Sequence, residues 1–249
     1  MRPLDLSSLL REGTLDARSV ALLWLLADDG VPLVFAGPAE APFRAGVAAA
    51  VLGLVQSRAW VLIDADEEPL TSARLAALLR GDVALGVSLS APDLGAVMES
   101  LGGMGLPEDA VRRLGAILVL DETERGLRCT SVHYLRPSER DAQGHVQRRP
   151  PAVLSAWDGE IDAHEDYAWA ITPELADRVD RSQADLEQRQ ASRTSFLATL
   201  PLQGAGSPLS ERVRGHLATE PERVPAPEHE RARPSPFRSG LLDPDEHAH

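Results

Sequence analysis

Apolar positions recur along the chain with two periods. Val20, Leu23, Trp24 and Ala27 fall on one helical face behind the cap residue Asp16, which predicts a helix over Ala17 to Asp29 ended by Gly30. A shorter amphipathic helix, Leu4 to Leu10, precedes it across a break at Gly13. Short runs apolar on both faces then alternate with helical stretches. The runs are Val31 to Ala36, Trp60 to Ile63, Asp82 to Leu89 and Ala116 to Leu120. Helices are predicted at Pro42 to Val55, Ser72 to Arg80, Asp93 to Leu101 and Glu108 to Leu114. Buried strands separated by helices predict a parallel sheet covered on both faces, a three-layer α/β core.

From Leu127 the pattern changes. Leu127 to Leu135 and Ala152 to Trp157 read as strands joined by a polar loop, Pro137 to Pro151, an antiparallel extension. Pro173 to Leu200 and Leu209 to Ala218 read as C-terminal helices. The charges on Asp180 to Arg193, such as Asp185 with Arg189 at i,i+4, read as a solvated face or equally as a docking helix. The expected division is lead-in helices at 1–30, an α/β core with its extension at 31–172, C-terminal helices at 173–219, and a disordered tail at 220–249 rich in Pro, Glu, Arg and His.

Composition narrows the functional classes. Of 249 residues 43% are apolar, enough for a core, while aromatics at 4% leave its filling to aliphatic side chains. The 25 basic residues are all arginine, and 38 acids bring the net charge to -13. That field disfavours nucleic acid and anionic membranes as partners. Arginine bias alone fits GC-rich coding; with the acid excess it is the composition expected of a salt-rich cytoplasm such as a halophilic archaeon's. The apolar run Val47 to Val55 is far short of the ~20 residues a membrane span needs. With no signal-peptide pattern in the first thirty residues, a cytoplasmic location is expected. Cys129, in a strand-like stretch, reads as a small buried hydrophobe.

Several segments resemble one family in order and spacing. They are Pro3 to Pro38, with Gly13-Thr14-Leu15 before a tryptophan-bearing helix and a strand; Val97 to Leu120; Leu154 to Asp162, with Trp157-Asp158; and Asp185 to Leu200 followed by Glu220 to Val224. Over residues 3–224 the chain is similar to the C-terminal motor domain of the archaeal-type type II/type IV secretion ATPases, which drive pilus, archaellum and secretion assembly. The resemblance implies a RecA-like, P-loop-type fold.

It also implies catalytic stations, and here the sequence departs. A phosphate loop reads G-x-x-x-x-G-K-[ST], so that backbone N–H groups and a lysine converge on phosphate while the hydroxyl ligates magnesium. From Gly37 this chain reads Gly-Pro38-Ala-Glu-Ala-Pro42-Phe43-Arg44. Pro42 replaces the second glycine and removes a donor. Phe43 stands at the lysine position and is expected to pack into the core; Arg44 stands at the hydroxyl position, one residue late for a substitute lysine. The family's acidic box is echoed by Asp64, Asp66, Glu67 and Glu68, expected as a solvated loop. The Walker B stretch is shortened away between Leu70 and Asp82, and the histidine of the histidine box has become Ser90.

Other chemistry has less support. Gly86-Val87-Ser88-Leu89-Ser90 lacks the final glycine of a nucleophile elbow, and spacing selects neither His133 nor His164 as its base. His164-Glu165-Asp166 has no second histidine at metal-ligand spacing. Trp157 is expected to close the sheet edge and Asp158-Gly159 to form a turn. The resemblance therefore implies a pseudo-ATPase with no cofactor, partnering an active secretion or pilus ATPase or its membrane platform through its sheet edge and C-terminal helices. Two alternatives stay open: a divergent motor that binds ATP with magnesium and recovers activity through Arg44 and a partner's residues, and a stand-alone regulatory domain.

Overall fold

The computed structural model describes residues 4–140, 143, 145–202, 208–222 and 224–225. Two lead-in helices open the chain, α1 (Leu6–Arg11) and α2 (Ala17–Asp28). Asp16 caps α2 by accepting from the backbone N–H groups of Arg18 and Ser19, as its position before the apolar run predicts. Then come β1 (Leu33–Ala36), α3 (Ala41–Leu52), β2 (Ala59–Asp64), α4 (Ser72–Arg80), β3 (Val83–Leu89), α5 (Leu94–Gly103), α6 (Glu108–Arg112) and β4 (Ala116–Thr123). A hairpin leads into β5 (Gly126–Tyr134), followed by the two-residue strands β6 (Glu139–Arg140) and β7 (Val146–Gln147), then β8 (Ala152–Asp158) and β9 (Ala163–Asp166). Helices α7 (Thr172–Arg178), α8 (Gln183–Thr199) and α9 (Leu209–Leu217) follow.

The main sheet has seven strands in the order β2-β3-β1-β4-β5-β8-β9. The first four run parallel and the last three are added antiparallel, so the α/β core and its extension form one continuous sheet. Alternation along β1 divides the interior. Leu33 and Phe35 enter one core with α1, α2, α3 and the C-terminal helices, while Val34 and Ala36 enter another beneath α4, α5 and α6. These are the three layers. Helix α2 is buried nearly all round, from Ser19 to Asp28, because it lies between the sheet and α8. Among the described residues no helix is long and apolar enough to cross a membrane.

Three expectations need correction. The stretch read as one helix from Pro173 is broken: Asp180 takes φ 51°, and α8 restarts behind the cap Ser182. Strand β9 and the β6–β7 pair were not foreseen, because their short polar sequences acquire strand geometry only from a partner. The expected disordered tail does not begin at Glu220, which is buried against α8; residues 226–249 lie outside the described residues.

Candidate functional site

β1 delivers the chain to Gly37, where the backbone turns sharply under the end of β4. Gly37 has φ 138°, and a Cβ there would lie 1.8 Å from the Leu120 carbonyl oxygen, so only glycine fits. Pro42 stands in the first turn of α3, where a missing N–H is tolerated. Phe43 does not pack into the core as expected: it is half-buried, and Arg44 takes the interior position at 2% exposure.

The Arg44 guanidinium folds back into the turn. Its Nη1 donates to the carbonyls of Ala39 at 2.6 Å and Gly37 at 3.5 Å. Nε donates to Ser88 Oγ on β3 at 3.3 Å, and Nη2 to Asp66 Oδ2 at 2.5 Å. The other oxygen of Asp66 accepts from the backbone N–H of Ser90 at 2.8 Å. Asp64 Oδ1 in turn accepts from the Asp66 N–H at 3.1 Å, which fixes the loop after β2. Three stretches singled out in the sequence thus meet: the phosphate-loop position, the acidic run and the Ser88–Ser90 segment. Asp66 stays partly solvated, with 36% of its side chain exposed, and is also an arginine partner; Glu67 is exposed, and exposed Glu68 pairs with Arg74 at 2.6 Å.

The polarity of this turn decides its chemistry. Pro38 and Pro42 have no N–H, and those of Ala39, Phe43 and Arg44 are committed to the carbonyls of Leu120, Glu40 and Glu40. What meets the guanidinium is two carbonyl oxygens, a hydroxyl and a carboxylate, an arrangement that suits a cation. The cation is already supplied by Arg44.

The remaining candidates are scattered. Ser88 is fully buried within β3 and accepts from Arg44, while His133 lies on β5 and His164 on β9, so neither histidine serves Ser88 as a base. His133 Nε2 meets Ser131 Oγ at 3.0 Å, and burial lowers its pKa from the ordinary value. His164 Nε2 contacts the Gly13 carbonyl at 3.2 Å. Trp157 does not close the sheet edge as expected, because β9 pairs beyond β8; its indole donates to Asp162 at 2.9 Å, and Asp158 accepts from the Glu160 N–H at 2.7 Å in the expected turn. Cys129 is buried; desolvation, with the charge of Asp16 adding, pushes its thiol up to about 12. Among the described residues no group of three or more His, Cys, Asp or Glu side chains could hold a metal ion.

A second constellation overturns the solvated-face reading of α8. Asp185, Arg189 and Arg193 are 5%, 7% and 2% exposed. Arg181 pairs with Asp29 at 2.6 Å and with Asp185 at 2.7 Å, and Arg189 pairs with Asp185 at 3.0 Å and Glu220 at 2.7 Å. Arg193 meets Asp28 and Glu220 at 2.7 Å each, with its guanidinium carbon 4.0 Å from the centre of the Trp24 ring. Burial works to raise the carboxyls of Asp185 and Glu220, but their arginine partners outweigh it and both titrate below the ordinary range. Burial prevails at Asp28, whose pKa is raised. His216, stacked on Phe196 at 4.6 Å, is lowered by burial against the opposing charge of Glu220. The signal for this network lies in the spacing: Arg181, Asp185, Arg189 and Arg193 repeat every four residues, on the stripe that also carries buried Leu186 and Leu197.

Comparison of the sequence with models of known families and with curated proteins returns no match.

Proposed function

We propose that the chain is a pseudo-ATPase: a RecA-like scaffold related to the archaeal-type secretion ATPases that serves as a structural or regulatory subunit beside an active secretion or pilus ATPase, or its membrane platform. The observation that carries this reading is the Arg44 guanidinium held by Ala39, Ser88 and Asp66 in the turn where the family cradles phosphate. An internal cation bound by carbonyls reverses the polarity that phosphate binding requires. The topology supports the same reading. β2 pairs directly with β3 and reaches it through the single helix α4, so the shortened Walker B stretch has no strand of its own.

The divergent-motor alternative requires Arg44 to leave these partners for phosphate, with Pro38 and Pro42 still lacking N–H donors. Fold likeness alone does not separate a motor accessory from a free-standing regulator. Affinity capture of the tagged chain from native extract, with the specific partners identified by mass spectrometry, separates them. A secretion or pilus ATPase, or its platform protein, is the expected partner. A set of specific partners containing no motor-system protein would sink the proposal.

A further inference from the structure

The two edges of the main sheet differ in character. β9 is four residues long and presents His164, Glu165 and Asp166, charges of the kind that keep an edge from pairing further. β2, at the opposite edge, has six residues, and Trp60 to Ile63 form an apolar run without charge or proline. Its register with β3 runs from Ala59↔Val83 to Asp64↔Ser88 without a bulge to turn it away. Trp60 is 41% exposed and Ala59 is exposed, while Val61 and Leu62 are half-buried. An edge this bare invites a strand, and the order of its side chains points to which one.

Alternation places Arg58, just before the strand, on the same face as Trp60, Leu62 and Asp64. Cation, aromatic ring, aliphatic and carboxylate follow one another. Reversed, the same series complements itself. We propose that β2 pairs antiparallel with β2 of a second copy of this chain, about a two-fold axis through Val61. Trp60 then stands opposite Leu62 of the second copy, Ala59 opposite Ile63, and Arg58 opposite Asp64, at both ends by symmetry. The large exposed ring gains an apolar neighbour. Arg58, whose side chain is 23% exposed, would exchange its present partner Asp82, at 3.3 Å and 84% exposed, for this contact. Charge complementarity selects the second copy, since an unrelated strand has no reason to match this order. The inference stands apart from the nucleotide reading.

Sedimentation equilibrium of the full chain over the micromolar range tests it, with circular dichroism to show each variant folded. The expected mass rises with concentration to twice 26.8 kDa. Arg58→Asp sets like charges at both ends of the interface, as does Asp64→Arg, and each weakens self-association by at least about tenfold. An equimolar mixture of those two variants forms a heterodimer with both ion pairs restored and recovers the wild-type affinity. Trp60→Glu, at an exposed ring, abolishes the dimer with the fold intact. A mass of 26.8 kDa throughout, or a dimer indifferent to these variants, overturns the proposal, as does a mixture that fails to rescue.

Discussion

The Arg44 guanidinium lies 2.5 Å from the Asp66 carboxylate, and that contact joins the turn after β1 to the loop after β2. The turn is closed from within by a side chain of its own helix. The same carboxylate holds the Ser90 N–H, so the ends of β1, β2 and β3 are tied together without an external ligand.

Removing that side chain leaves the Gly37 and Ala39 carbonyls without their donor in the interior. Arg44→Ala is expected to lower stability by about 2–3 kcal/mol. Asp66, with 36% of its side chain exposed, stays hydrated and limits the loss. Arg44→Lys recovers little, because one ammonium cannot span Ala39, Ser88 and Asp66 together. Urea unfolding measures both variants, and an Arg44→Ala protein as stable as wild type would contradict the assignment.

Two glycines give opposite outcomes. Gly37→Ala drives a methyl group into the Leu120 carbonyl and is expected to cost more than about 3 kcal/mol or prevent folding. Gly102, in α5, has nothing within 4 Å of where a Cβ would stand. Gly102→Ala is expected to gain about 0.5–1 kcal/mol by restricting the unfolded chain. Paired thermal melts decide whether the turn is as tight as described.

Where local pattern governed, the sequence was readable. α4 falls at its expected limits, and β1, β3 and β5 lie within about two residues of theirs, because apolar runs bounded by Gly, Pro and capping residues declare themselves. β4 runs on past Leu120 to Thr123 because β5 folds back onto it, a pairing that Asp121 and Glu122 do not announce. The candidate site was half legible. Gly37, Pro42 and the acidic run could be placed, but that Arg44, rather than Phe43, turns inward depends on Asp66 and Ser88, 22 and 44 residues away. The charged stripe on α8 was misread for a related reason: its partners Asp28 and Glu220 come from distant segments, and charge without a visible partner reads as surface.

That stripe makes a strong demand on stability. Arg193→Ala leaves Asp28 without its buried counter-charge, leaves Glu220 to Arg189 alone and strips the cation from Trp24, with an expected loss of about 3 kcal/mol. Arg149→Ala removes exposed pairs with Glu139 and with Glu174, which keeps Arg136, and should shift stability by less than about 1 kcal/mol. Chemical denaturation of the two variants side by side checks the contrast.

Acid should weaken the fold in two stages. His133 and His216 have folded pKa values below the ordinary histidine value, so the stability they contribute is complete above that value and is lost as pH falls below it. Asp185 and Glu220, also depressed, add a further loss below the ordinary carboxyl range. Asp28, raised by burial, acts in the opposite sense and softens that second stage. Melting temperatures across the neutral-to-acid range should fall, and His216→Gln should flatten the first stage.

The central claim, a phosphate turn closed by its own arginine, is tested most directly by calorimetric titration of the folded chain with Mg-ATP and ADP, in low and in molar potassium chloride. The account predicts no heat of binding and no thermal stabilisation at either salt. Micromolar binding of either nucleotide, lost in Arg44→Ala, would contradict it and make Arg44 the phosphate ligand of a working site.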